Sequence, residues 1–409
     1  MLIPSIDLLD GKAVQLQQGQ KKILEREDVI ELAKYYARFG ELAVIDLDCA
    51  MNTGKNNEEL IKQICKIAPC RVGGGIRTVD KAKKVLSWGA KKIIIGTAAD
   101  EEFLSKLPKN RVIVAIDSRD GKITTQGWKT ITQHSIFDYI KRFEDYCYGF
   151  LATIVEKEGM LQGTNIQLLE EIAKSTKNPI TAAGGISTIE EIIELEKHNI
   201  NCQLGMSIYT GKITLEDAFC ALLDFEKQQG LIPTIVQDKT TKQILMLAYS
   251  TPESLRESFK TGLATYFSRS RNELWKKGAT SGNIQKLLNA KFDCDKDAIL
   301  FTVEQIGNAC HLNRYSCFED KNFTFEELFD VIIDRKEKMP LDSYTTKLLQ
   351  NDFYLKRKIM EEAFETVNYE QGDGLAWEAA DLLYHLAVFM VKHDCTIEDI
   401  RNNLKSRTK

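Results

Sequence analysis

Apolar residues recur over the first 225 positions in short runs separated by amphipathic stretches. The runs at 2–6, 42–47, 70–74, 92–96, 112–116, 150–155, 179–183 and 202–205 have the length and β-branched content of buried strands. Between them, 28–39, 57–67, 79–88, 136–145, 166–175 and 188–197 carry apolar residues at helical spacing. Eight strands alternating with helices are the pattern of a (β/α)8 TIM barrel. An internal repeat supports it: Ile6-Asp7-x-x-Asp10-Gly11-Lys12 returns as Ile116-Asp117-x-x-Asp120-Gly121-Lys122, and Gly74-Gly75-Ile76 returns as Gly184-Gly185-Ile186. Both copies sit at one offset, which points to two half-barrels of four βα units each.

Beyond 225 the pattern changes. Runs at 234–238, 244–250, 264–270, 283–294 and 298–306 read as strands, whereas 324–337, 342–350, 352–369, 375–393 and 396–405 read as helices. The chain therefore divides into a barrel at 1–225, a β-rich α+β domain at 226–320 and an all-α domain at 321–409. A short Gly-containing break at 371–374 lets the two longest helices pack antiparallel.

Composition narrows the function classes. The chain has 409 residues, 43% of them hydrophobic, with a net charge of −4, so it builds several cores and lacks the basic excess of a nucleic-acid protein. No apolar run approaches about 18 residues, which argues against a membrane partner. The start, MLIPSIDLLDGK, carries two aspartates and no basic n-region, so a cytoplasmic location is expected. Ten cysteines then read as thiols or metal ligands. Seven of them (Cys49, Cys65, Cys70, Cys147, Cys202, Cys220 and Cys395) suit buried apolar roles.

The candidate chemistry falls in three places. Asp7 and Asp117, at the ends of strands one and five, face each other across a barrel mouth as a pair for acid–base work. Gly74-Gly75 and Gly184-Gly185, after strands three and seven, suit two phosphate cradles. The plainer alternative is tight turns and helix caps.

In the second domain Cys294, Cys310 and Cys317 offer three soft ligands and one open position for a zinc ion. Buried thiols or a structural zinc are the alternatives. Asp293, Asp295 and Asp297, on one face of an extended segment, suit magnesium. His311 could move a proton beside such a metal, and Arg269 and Arg271 in Ser268-Arg269-Ser270-Arg271 suit phosphate. In the third domain Glu362 and Glu365, then Glu378 and Asp381, pair at i,i+3 on successive helices. Facing carboxylates of this kind suit magnesium on a di- or triphosphate, against the alternative of a solvated acidic face.

These residues carry resemblances. IPSIDLLDGKAVQLQQG, GGGIRT, AIDSRDGKITTQGW, EGMLQGTN and AAGGIST resemble the ProFAR isomerase of histidine biosynthesis, an aldose–ketose isomerase, across nearly all of 1–225. The resemblance implies Asp7 as general base, Asp117 as general acid, and Thr153 and Trp128 against substrate. Gln15, Ile154, Glu158 and Met206 depart from its usual Arg, acid, Asp and Arg.

YFSRSRNELWKKGATSGN, DCDKD and ACHLNRYSCF resemble phosphoribosyl-AMP cyclohydrolase, which implies a zinc-dependent opening of the adenine ring. Leu312-Asn313-Arg314-Tyr315 departs from the usual Thr-Gly-Arg-Arg. DRKEKMPLDSYTTKLL, KRKIMEEAFET and WEAADLLYHLAV resemble phosphoribosyl-ATP pyrophosphatase, of the all-α pyrophosphohydrolases, with Arg335, Lys347 and Lys358 at its basic positions.

The resemblances imply three consecutive steps of histidine biosynthesis. They also imply phosphoribosyl nucleotide substrates including an ATP derivative, one zinc per chain, magnesium, no organic cofactor, and a homodimer through 226–409. The alternative is a bifunctional pyrophosphatase–cyclohydrolase whose barrel is an inactive scaffold or ligand sensor. A nucleotide-binding regulator without activity is disfavoured by the intact metal-ligand sets.

Overall fold

The computed structural model describes all residues except 20, 120, 126–127, 129, 228, 370–373 and 408–409. Asp120 of the repeat and the predicted break at 371–373 lie outside the described residues. Two compact units are present: Met1–Gln237 with Leu245–Asn313, and Asp238–Ile244 with Arg314–Lys409.

In the first unit the eight predicted strands form the barrel. They are β1 (Leu2–Leu9), β2 (Leu42–Asp46), β3 (Cys70–Gly73), β4 (Lys92–Ile95), β5 (Val112–Arg119), β6 (Gly149–Ile154), β7 (Ile180–Ala183) and β8 (Asn201–Leu204). Each runs parallel to its neighbours, and β8 pairs back onto β1, so the sheet closes. The short strands are buried almost throughout, as a barrel covered by helices requires.

Asp7 and Asp117 do not end their strands. β1 and β5 each run two residues further, because each continues into an antiparallel arm. Lys12–Gln17 pairs with β1 and with Lys21–Arg26, and Lys122–Thr125 pairs with β5 and with Thr130–Ser135. The two half-barrels thus share an ornament as well as a motif.

The same unit holds a four-stranded sheet in the order Ile244–Ser250, Ile232–Asp238, Ile299–Gln305, Gln285–Phe292, with a two-stranded ribbon Thr265–Ser268/Glu273–Lys276. A helix that the apolar pattern missed, Pro252–Thr261, is set by the capping box of Thr251 and Ser254. It joins this sheet to the barrel. Phe259 stacks on Phe39 at 4.3 Å and meets Phe219 edge-on at 4.9 Å. Arg38 donates to the Phe259 carbonyl, and the Ala290 N–H donates to the Arg38 carbonyl at 2.8 Å. Phe39, Phe219 and Phe259 are all buried, so barrel and sheet share one core here.

The second unit is helical, with Phe325–Lys338, Tyr344–Gln350, Asp352–Val367, Gly374–Lys392 and Ile397–Arg407 matching the five predicted helices. Its core gathers Phe329, Ile332, Leu348, Leu355, Val388 and Val391. Gly374–Lys392 holds no uninterrupted apolar run of about 18 residues, since Glu378 and Asp381 break it, but it is the longest helix among the described residues. By length and composition its 19 residues could cross a membrane, and only 22% of its most apolar window is buried. That helix also carries Glu378, Asp381 and the buried His385.

Candidate functional sites

At the barrel mouth a third carboxyl, Glu158, joins Asp7 and Asp117 within reach of their charge. Asp7 sits on β1, Asp117 on β5 opposite Thr153 of β6, and Glu158 just past the turn that follows β6. Asp7 and Asp117 are charged neighbours of Glu158. All three keep a little exposure, yet the surrounding protein strips most of their water. Burial lifts Asp7 to about 6 against a hydrogen bond from Ser5 Oγ at 2.9 Å. Burial raises Asp117 too, opposed by hydrogen bonds from Trp128 and Thr153. Burial, then the charges of Asp7 and Asp117, push Glu158 up to about 8. At neutral pH the set therefore holds an ionised carboxylate beside a protonated carboxyl, the pairing that acid–base chemistry uses.

The glycine pairs flank this mouth. Gly74, Gly75, Gly184 and Gly185 all have positive φ, between 66° and 97°. A Cβ at Gly74 would strike the Asp46 carbonyl, and one at Gly185 would lie 2.5 Å from the Gly163 carbonyl. Only glycine fits, and each pair leads into a helix capped by a threonine, Thr78 on the Lys81 N–H and Thr188 on the Glu191 N–H. The turns are tight, as the plainer expectation has it, and after the second pair the Ser187 and Thr188 N–H groups donate to Glu191 Oε2 at 2.9 and 3.1 Å. A Cβ at Gly184 would lie 3.1 Å from Glu158 Oε2, which places that carboxyl against the Gly184-Gly185 turn. Gln15, 2% exposed, leaves Nε2 without a hydrogen-bond partner among the described residues.

The acidic triplet Asp293, Asp295 and Asp297 does bring its oxygens within 4.8 Å of one another. The predicted extended segment is wrong, however. Residues 294–297 form a turn between two strands, with Lys296 at φ 63°, and Asp293 Oδ1 accepts from the Asp297 and Ala298 N–H groups. Cys294 is exposed, Cys310 buried, and Cys317, in the second unit, exposed. The converging acidic groups among the described residues include none of these cysteines. His311 is exposed beside Cys310. Arg269 lies 3.8 Å over the Tyr249 ring, and exposed Arg271 pairs with Glu273 at 3.3 Å. Of the seven scattered cysteines, Cys70, Cys147, Cys202 and Cys220 are buried, while Cys49, Cys65 and Cys395 are half-buried.

In the helical unit Glu362, Glu378 and Asp381 converge within 4.8 Å, as do Glu361, Glu362 and Glu365. Burial and the charges of Glu362, Glu378 and Glu361 raise the Glu365 carboxyl. Lys358 pairs with Glu362 at 2.7 Å and Glu361 at 2.9 Å, while Lys347 is exposed. His385, which the residue pattern did not single out, bonds the Asp381 carbonyl at 2.7 Å and the Tyr344 hydroxyl at 3.1 Å.

Known proteins share all three regions. Residues 1–214 match the family described as Histidine biosynthesis protein, 246–319 Phosphoribosyl-AMP cyclohydrolase, and 325–408 Phosphoribosyl-ATP pyrophosphohydrolase. The phosphoribosyl imidazole-4-carboxamide isomerase of Methanocaldococcus jannaschii is 38% identical over 231 residues, which are 53% of this chain and 97% of that protein. The corresponding isomerase of Aquifex aeolicus is 40% identical over 228 residues, 53% of this chain and 96% of its own length. The histidine biosynthesis bifunctional protein HisIE of Lactococcus lactis is 45% identical over 196 residues, 45% of this chain and 91% of its own length. The chain thus belongs to the histidine biosynthesis protein family, and its barrel is followed by a phosphoribosyl-AMP cyclohydrolase domain and a phosphoribosyl-ATP pyrophosphohydrolase domain.

Proposed function

We propose that this one chain carries out three consecutive steps of histidine biosynthesis, with domains at 1–225, 226–320 and 321–409. The helical domain hydrolyses phosphoribosyl-ATP to phosphoribosyl-AMP and pyrophosphate. The middle domain opens the adenine ring to give ProFAR, and the barrel isomerises ProFAR to PRFAR. Each product is the next substrate, which gives the fusion a chemical reason.

One observation carries an active barrel over a scaffold: burial raises the pKa of three carboxyls, Asp7, Asp117 and Glu158, and the first two act on the third by charge. Such a set destabilises the fold and serves no purpose in an idle domain. Asp7, ionised above about 6, takes the proton from the sugar carbon. Asp117, oriented by Trp128 and Thr153, shares the acid role with Glu158, which keeps its proton to about 8. The two cradles, Gly74-Gly75 and Gly184-Gly185, hold the two terminal phosphates. Gln15 stands, buried and neutral, where the family usually has Arg.

Cys294, Cys310 and Cys317 would hold one zinc per chain, three soft donors of the kind this metal takes, and the ion would supply an activated nucleophile for ring opening. His311 moves the proton, and Arg269 and Arg271 hold phosphate. Asp293, Asp295 and Asp297 form a hard oxygen set that fits magnesium, as do Glu362, Glu365, Glu378 and Asp381 in the helical domain. There Lys347 and Lys358 bind the polyphosphate.

A homodimer through the C-terminal region is supported by an exposed apolar stripe on the Asp352–Val367 helix, formed by Phe353, Met360, Phe364 and Val367. Ten free thiols suit the reducing cytoplasm. The barrel reading is tested by supplying the aldose to the full-length chain and following ketose. Asp7→Asn and Asp117→Asn should each lose about 10²–10⁴-fold in turnover, whereas a wild-type chain no faster than these variants would leave the scaffold reading standing.

A further inference from the structure

The segment that joins the barrel to the middle domain delivers a cation to the acidic turn. Lys227 lies outside both matched stretches, 1–214 and 246–319. Its Nζ is 2.5 Å from Asp295 Oδ2 and 2.5 Å from Asp297 Oδ2. Those two carboxylates push its pKa up. The backbone is fixed as well: the Asp224 N–H donates to the Lys296 carbonyl at 2.9 Å, and Asp224 Oδ1 accepts from the Lys227 N–H at 2.9 Å. The ammonium is thus a cation already held against two of the three carboxylates whose oxygens converge within 4.8 Å. A divalent ion at Asp293, Asp295 and Asp297 needs those same oxygens.

We propose that Lys227 is a tethered competitor for the divalent cation at this turn, so that metal binding displaces its ammonium from Asp295 and Asp297. The proposal rests on the reading of the turn as a cation site. Lys227 is 46% exposed and Asp295 56% exposed, so solvent screens that pair, while Asp297, 17% exposed, is screened less. Two ion pairs of that kind weaken metal binding by about 2- to 30-fold in total. The fusion then links metal occupancy of the middle domain to the segment that tethers it to the barrel.

The test uses the full-length chain with Glu362→Gln, Glu365→Gln and Asp381→Asn, which remove carboxylates from both helical acidic clusters. Free Mn²⁺ is measured by its paramagnetic resonance signal during titration at low salt. Lys227→Gln should bind Mn²⁺ about 2- to 30-fold tighter than its parent. Lys227→Arg should match the parent, and the gap should close as salt rises. Equal or weaker binding by Lys227→Gln overturns the competition. A parent and a Lys227→Gln variant that both ignore Asp295→Asn overturn the cation site beneath it, a distinct failure.

Discussion

Replacing Glu158 by Gln removes a carboxyl held at about 8, against 4.5 for a free glutamate. At pH 7 the unfolded chain has released that proton and the folded chain retains it. Stability therefore falls as pH rises from 4.5 towards 8, by at most about 1.4 kcal/mol per pH unit. The native residue thus destabilises the barrel at pH 7 by about 1–3 kcal/mol once solvent at the mouth is allowed for. Glu158→Gln should melt several degrees higher at pH 7, and the gain should vanish below pH 4.5.

Activity should move the other way, down by about 10²–10⁴-fold. The wild-type isomerase profile should rise through about 6 as Asp7 ionises and fall through about 8 as Glu158 loses its proton. Burial sets the Asp7 value, opposed by Ser5, so the variant should keep the first limb and lose the second. Turnover is followed from pH 5 to 9 alongside thermal melts. A variant that keeps the fall near 8, or melts lower than wild type at pH 8, would refute the reasoning.

Three further outcomes follow from the other sites. Cys317→Ser should lose zinc, measured by atomic absorption, together with phosphoribosyl-AMP hydrolysis; full activity in a metal-free variant contradicts the ligand set. Glu365→Gln should abolish phosphoribosyl-ATP cleavage and spare ring opening of supplied phosphoribosyl-AMP, and equal loss of both would point to misfolding. Phe259→Ala, in the shared aromatic core, should destabilise by about 3–5 kcal/mol and bring barrel and middle sheet down in one calorimetric transition. Two separate transitions in the wild type would contradict that common core.

Much of this was legible in the residues. The eight barrel strands are short buried runs, and the five C-terminal helices have clear apolar spacing, so both patterns survive folding. The arms after β1 and β5 were not legible. Lys21–Arg26 is polar and almost wholly exposed, so it carries no burial signal. The Asp293–Asp297 segment alternates like a strand, but Lys296 takes a left-handed φ that turns the chain, and the same three oxygens converge by another route.

Glu158 drew notice only as a departure from a family position. Its chemistry comes from its surroundings, because Asp7 and Asp117 are distant in sequence and meet it only when the barrel closes. The shared core of Phe39, Phe219 and Phe259 escaped for the same reason, with each ring an ordinary apolar residue of its own helix or loop.

The proposed function requires one chain to perform all three steps. Purified full-length protein would be given phosphoribosyl-ATP with zinc and magnesium, and pyrophosphate, ProFAR and PRFAR would be measured over time. The account predicts pyrophosphate first, then a transient of ProFAR, then PRFAR, with Asp7→Asn stopping the sequence at ProFAR. Accumulation of ProFAR by the wild type, at the level reached by Asp7→Asn, would contradict it.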